Sequence, residues 1–253
     1  MVLGVMGAMV EEIDALIREL APPVSRTSVG GRDYHLGSLW GVPAVLVFSR
    51  WGKVAAAMTA TSLITKFGIG ELLFTGVAGA ADPGLSIGDV VVASGLYQHD
   101  MDARPLFARH EIPLLGVSRF ETGEPLRTSC LRAAETFLSE DFGRAIPPDV
   151  RDEFRLSAPK VVSADVATGD KFFAEKDAVH ALRVRLPSVG CVEMEGAAVA
   201  QVCHEHGIPF GVVRTISDAA DESAGVNFPR FVARVASVYS HGILKRLLAS
   251  RTS

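Results

Sequence analysis

The sequence predicts an α/β fold, a three-layer α/β/α sandwich around a central mixed β-sheet. Short apolar runs recur along the whole chain, and longer helix-like stretches alternate with them. Several of the runs are apolar at every position, as strands covered on both faces are.

VLGVM (2–6) opens the chain as a strand, and Glu11 and Glu12 follow as the first turn of a helix, where carboxylates favour the positive dipole end. YHLGSLW (34–40) and PAVLVF (43–48) read as the next strands. KVAAAMTATSLITKF (53–67) is apolar almost all round and stops before Gly68 and Gly70, a long helix. ELLFTG (71–76) and DVVVAS (89–94) are strands again, and 95–127 is the least regular part of the chain. VVSADV (161–166) and GCVEM (190–194) precede EGAAVAQVCHEHG (195–207), a helix closed by its glycine. PFGVVRTIS (209–217) is the last strand. The final helix is expected to open at Asn227, with Pro229 in its first turn, and to run to about Ser250. No repeat or linker interrupts this order, so 1–253 reads as one domain.

With 253 residues, 48% of them hydrophobic, the chain can bury a large core. Its net charge of −4 argues against a nucleic-acid groove or an anionic membrane surface. Cys130, Cys191 and Cys203 have no CxxC spacing and read as reduced core residues of a cytoplasmic protein. MVLGVMGAM has no basic leader, and no apolar run reaches the ~20 residues of a membrane span. The dinucleotide fingerprint and the Walker sequence are both missing, and no cofactor is expected. His204 and His206 diverge around a helix, so no metal site is expected from them.

In open α/β sheets, ligands gather beyond the C-terminal ends of strands. Four such places carry polar residues: GAMVEE (7–12), TGVAGAADPG (75–84), EMEG (193–196) and RTISD (214–218). The last is the odd one. Val212, Arg214, Ile216 and Asp218 alternate, so a continuing strand carries both charges on one face. Charges in a core need a partner or a ligand. A structural Arg214–Asp218 pair satisfies that demand, and so does a bound molecule.

GAMVEE, SRWGKVAAA (49–57), TGVAGA (75–80), GDVVVA (88–93), ATGDKFF (167–173), VEMEGAAVAQVC (192–203) and VRTISDAAD (213–221) occur in that order. From about residue 2 to residue 248 the chain resembles the 5′-methylthioadenosine/S-adenosylhomocysteine nucleosidases of the nucleoside phosphorylase superfamily. The resemblance implies a nucleoside phosphorylase-like sandwich, a nucleoside substrate and hydrolysis of the N-glycosidic bond to adenine. Asp218 then matches the acid that protonates the leaving purine, and Glu12 the glutamate that orients and deprotonates the attacking water. Glu195 matches the acceptor for the ribose hydroxyls, with Met194 on the ribose face and Arg214 near water and ribose. Phe172 is expected to stack on adenine, with the Phe173 backbone and Ser217 along the purine edge. Phe228 joins the substrate-binding set. By default Met194 and Phe172 are also ordinary core residues, and Glu193 is an alternative to Glu195.

An aspartate of pKa ~3.9 is protonated about once in a thousand at neutral pH, a handicap of about 4 kcal/mol. Burial beside Phe172 and Ile216 is expected to raise it. Two positions depart from the family pattern. Val77 stands where many relatives carry serine, and Trp51 where a small aliphatic side chain usually meets the thioalkyl end of the substrate. Trp51 either covers a short methylthio group at the expense of a homocysteine tail, or fills core space.

A phosphorolytic relative is the nearest alternative, but Glu11 and Glu12 after the first glycine turn repel a phosphate dianion. A hydrolase of futalosine-type nucleosides and a non-catalytic nucleoside-binding paralogue are further readings. The paralogue requires none of Glu12, Glu195 and Asp218. Helix 53–67 is apolar on too many sides for a free surface. The segment 99–116 offers Met101, Leu106, Phe107, Ile112 and Leu114 without a regular element to bury them. In the resembling family the equivalent loop lines the 5′-alkylthio pocket of the neighbouring subunit, which implies a homodimer.

Overall fold

The computed structural model describes residues 1–221 and 224–252. Its strands are β1 (Val2–Gly7), β2 (Leu20–Val29), β3 (Arg32–Leu39), β4 (Val42–Phe48), β5 (Ile69–Ala80), β6 (Val90–Gln98), β7 (Phe120–Glu121), β8 (Val161–Thr168), β9 (Val189–Glu193) and β10 (Phe210–Asp218). All join one mixed sheet. The helices are α1 (Val10–Arg18), α2 (Lys53–Phe67), α3 (Glu124–Thr136), α4 (Phe142–Ala145), α5 (Pro148–Phe154), α6 (Lys176–Arg185), α7 (Gly196–His206), α8 (Ala224–Phe231) and α9 (Ser237–Thr252). α1, α3 and α9 pack together over one face, and α2 lies against α7 over the other. The sequence-predicted three layers are therefore present.

The sheet does more than lie flat between them. Residues 69–74 of β5 pair with β1 on one side, and 72–79 pair with β10 on the other, both in parallel. At Gly79–Ala80 the side left by β1 is taken by β9, running antiparallel. β9 continues through β8 and β6 back to β10. Five strands thus close on themselves, which a linear reading of apolar runs does not reveal. The gap where β1 and β9 part along β5 is a topological switch point of the kind where ligands bind. Because β9 runs against β5, its last residue, Glu193, is carried back toward the middle of β5.

β5 is buried along nearly all of its twelve residues, as its continuous apolar run requires. α2 has the predicted boundaries and ends at Gly68, whose φ of +62° makes the left-handed cap that glycine adopts without strain. Two expectations fail. β2 has no counterpart among the sequence-predicted strands, because LAPPVSRTSV is polar and exposed along most of its length. It is an edge strand, which needs only one hydrogen-bonding side and tolerates its two prolines there. The final helix starts at Ala224 rather than Asn227, so Pro229 lies inside α8 instead of in a first turn. A π-helical turn at Val232–Ala236 separates α8 from α9.

Candidate active site

A cleft holding about 550 Å³ of space, open solvent at its mouth included, opens at the parting of β1 and β9. It collects residues from all four sequence-predicted places: Glu12, Val77, Met194 with Glu195, and Asp218.

Glu12 is the third residue of α1, and it reaches back over the helix start. Its Oε2 accepts the amide protons of Ala8 at 2.5 Å and Met9 at 3.0 Å, the acid half of a capping box. Its Oε1 accepts the Val77 amide proton at 3.1 Å across the gap in the sheet. A Cβ on Gly76 would sit 2.5 Å from that oxygen, so only glycine admits the carboxylate there. Burial pushes the Glu12 carboxyl above its ordinary range, while the Arg214 charge and the three amide bonds oppose the rise. Glu11, by contrast, is exposed and serves only the helix dipole.

Arg214 does not pair with Asp218. Its Nη2 donates to Glu193 Oε2 at 2.8 Å, its Nη1 donates to the carbonyl oxygens of Phe74 and Val213, and its guanidinium lies 4.0 Å over the Phe74 ring. The reason is a register shift between Ile216 and Asp218 against β5. This bulge breaks the alternation and re-aims the last side chain of the strand. Asp218 turns into the cleft wall, and Arg214 stays behind it with only 1% of its surface exposed.

Glu193 is the hub that the sequence left in second place. Beyond Arg214, it accepts the hydroxyl proton of Thr168 and the amide protons of Gly196 at 2.8 Å and Glu195 at 3.2 Å. Both Glu193 and Glu195 line the cleft. Glu195 Oε1 accepts the Gly52 amide proton at 2.7 Å. Burial, reinforced by the neighbouring Glu193 charge, pushes the Glu195 carboxyl up to about 8.

At the other end, Asp218 is 2% exposed. Its Oδ1 accepts the Ala220 amide proton at 2.8 Å, and its Oδ2 accepts from Ser217 Oγ at 2.8 Å. Burial raises its pKa, and these two hydrogen bonds hold the rise back. Ser217 itself is fully buried behind Asp218 and within reach of the Ala78 carbonyl. It braces the Asp218 carboxyl rather than lining the cleft.

The mouth is aromatic. Trp51 and Phe172 each set an edge against Phe228, with ring centroids 5.9 and 5.8 Å apart. Trp51 is 53% and Phe172 41% exposed, so neither fills the core. Phe173 is buried and packs edge-on against His99. Val77 contributes its side chain to the wall and its amide to Glu12. Lys171, at the start of the aromatic pair, also lines the cleft and is not among the sequence-predicted residues, because a single lysine in a turn carries no distinguishing pattern. Among the described residues no group of His, Cys, Asp and Glu is placed to hold a metal ion, and no helix is long and apolar enough to cross a membrane.

Fold and cleft together define a nucleoside-processing α/β enzyme, and comparison with known proteins agrees. Residues 2–249 match the phosphorylase superfamily model. A 5′-methylthioadenosine/S-adenosylhomocysteine nucleosidase of Anoxybacillus flavithermus is 34% identical over 92% of this chain and 92% of its own. The crystal structure of the Neisseria meningitidis enzyme of that name, in complex with methylthio-immucillin-A, superposes with a TM-score of 0.85 at 32% identity, covering 98% and 99% of the two chains. The futalosine hydrolase of Helicobacter pylori superposes with a TM-score of 0.83 at 30% identity, covering 98% and 97%. The chain belongs to the phosphorylase superfamily and, within it, to the 5′-methylthioadenosine/S-adenosylhomocysteine nucleosidase family.

Proposed function

We propose that the protein hydrolyses the N-glycosidic bond of 5′-methylthioadenosine, S-adenosylhomocysteine or both, releasing adenine. The observation that carries this is the pair of buried carboxyls straddling β5. Glu12 is tied to the amide of Val77, and Asp218 Oδ1 lies against Gly79, 2.9 Å from where its Cβ would be. Both carboxyls line the same cleft, as a base and an acid acting on one sugar must.

Asp218, kept proton-rich by burial, protonates the purine so that adenine departs neutral. Glu12 accepts the proton of the water, while Arg214 behind it favours its ionised form. Glu195 receives the ribose hydroxyls on its carboxyl oxygens. Met194 covers the ribose face, while Phe172 and Phe228 flank the base. Phosphorolysis fits poorly, since Glu12 and Glu193 line the cleft that an incoming phosphate dianion would enter. Free adenine and sugar products, measured with and without phosphate, test the reaction. Sugar 1-phosphate as the product would overturn hydrolysis, and hypoxanthine release from futalosine outpacing adenine release would move the substrate.

Trp51 sets the 5′ preference. Its half-exposed ring at the mouth suits a short methylthio group and obstructs a longer tail. Trp51→Ile is expected to raise kcat/KM for S-adenosylhomocysteine relative to methylthioadenosine by roughly 10-fold, within the 1–3 kcal/mol range of such pocket changes. An unchanged ratio removes Trp51 from this role.

The active form is a homodimer in the cytoplasm. On α2, Val54 is 81% and Met58 42% exposed, and in the 99–116 segment Leu106 and Leu114 are 84% and 94% exposed. Of the other apolar residues named in that segment, Ile112 is buried and Met101 packs on the chain's own core, while Phe107 is half-buried. The exposed four are the patch a second copy would cover, over more than the ~1,000 Å² of a specific interface. Sedimentation at low micromolar concentration is expected to show the dimer; a fully active species of 26.9 kDa would overturn it.

A further inference from the structure

Three segments that meet at the cleft are tied into one closed ring. The Lys53 amide proton goes to Asp170 Oδ1 at 2.9 Å, the Asp170 amide proton to Asp100 Oδ2 at 3.0 Å, and Lys53 Nζ to Asp100 Oδ1 at 2.7 Å. Lys53 Nζ is further held by Gln98 Oε1 at 3.2 Å. Asp100 opens the 99–116 segment, Asp170 stands two residues before Phe172, and Lys53 is the first residue of α2.

The preceding residue joins this ring to the sugar end. The Gly52 amide proton bonds Glu195 Oε1 at 2.7 Å, so two consecutive amides at the start of α2 hold two carboxylates, one on the ribose side and one on the base side. Gly52 has φ +93°, and a Cβ there would approach Asp170 Oδ1 to 3.1 Å. A side chain at Gly52 would crowd Asp170 as well as strain the backbone. Lys53 and Asp100 keep 19% and 32% of their side-chain surface, shielded enough for the pair to hold its geometry. Burial pushes the Asp100 carboxyl up, but the Lys53 and Asp170 hydrogen bonds prevail and keep it below its ordinary range.

We propose that Lys53, with Asp100 and Asp170, is a positioning device that fixes the distance between the aromatic base-binding loop and Glu195. The ring touches no substrate under the proposed function, on which this inference rests. It acts by registering two subsites that a whole nucleoside must fill at once. A free base fills only one of them and follows its loop, so it is indifferent to the register. The nucleoside is not, since misplacement of reacting groups by about 1 Å costs on the order of 100-fold in rate.

Lys53→Met is expected to lower kcat for adenine release about 10- to 100-fold. By calorimetry it is expected to weaken a non-hydrolysable 5′-methylthio C-nucleoside analogue at least about 10-fold, the order a lost charge-assisted hydrogen bond produces, while free adenine binds within about 3-fold of wild type. Lys53→Arg, which can still reach Asp100, is expected to restore most of the loss. Should Lys53→Met fail to fold, Asp100→Asn opens the same ring with a smaller change and is read in the same way. Equal weakening of adenine and analogue, or no weakening of either, overturns the proposal. Because the binding arm needs no turnover, a wild type that released no adenine would defeat the proposed reaction and still leave the ring tested.

Discussion

Asp218→Asn is expected to lower adenine release by roughly 10²–10⁴-fold or more, because the amide keeps the shape but has no carboxylic proton to give. Binding of an adenosine analogue should change far less, since Asn accepts the Ala220 amide proton as Asp218 does. The pH dependence adds a second signature. The acid works only when protonated, and burial raises its folded pKa above the usual aspartate value. The wild-type rate therefore falls as pH rises through that raised pKa, and the variant loses that limb. Linkage gives the stability with its sign. A carboxyl whose folded pKa is raised contributes stability below its unfolded pKa of about 3.8, and the contribution is lost as pH rises through the folded one. Asp218→Asn is thus expected to melt higher than wild type at neutral pH, by a margin that shrinks toward pH 4. A variant that keeps a tenth of the wild-type rate removes Asp218 from the role of acid.

The strands that build the site are legible because they are buried on both faces and so are written as apolar runs. β5 and β10 show this best, and the polar residues at their ends, in TGVAGA and RTISD, mark the site in the amino-acid sequence itself. β2 is not legible, because an exposed edge strand is held by backbone hydrogen bonds that leave no apolar pattern. Neither is the closure of five strands, which depends on β9 replacing β1 beside β5. At the site, the sequence identifies Glu12 and Asp218 but not the partner of Arg214. Period-two alternation assumes a regular strand, and a single bulge after Ile216 sends Asp218 to the cleft and leaves Arg214 to Glu193. The apolar segment 99–116 is half-legible: composition identifies its exposed leucines, but only the fold shows Ile112 turned inward.

Glu12→Gln is expected to reduce turnover by roughly 10²–10⁴-fold, the span of a lost general base, with less than about a 10-fold loss of substrate affinity. The base must be ionised to accept the proton of water, and burial raises the Glu12 pKa above about 4.5. The wild-type rate therefore falls as pH drops through that raised value, and the glutamine variant loses this acid limb while keeping the alkaline limb assigned to Asp218. Part of its loss is structural. Two oxygens of Glu12 accept three amide protons, and the NH₂ of glutamine must face at least one of those donors. Glu195→Gln provides the contrast that separates base from sugar ligand. Gln keeps an oxygen for the Gly52 amide but puts an NH₂ where the second oxygen would accept from the ribose, so affinity and turnover both fall, and 2′-deoxy nucleosides are poor substrates already for the wild type. The Glu195 carboxyl, raised to about 8, withdraws stability as pH climbs from about 4.5 through 8, so Glu195→Gln gains melting temperature over wild type across that window. A site that is costly to the fold and needed for the reaction is what function at the expense of stability predicts. Equal rates for 2′-deoxy and ribose substrates would take Glu195 out of the sugar site, and an acid limb surviving in Glu12→Gln would take Glu12 out of the role of base.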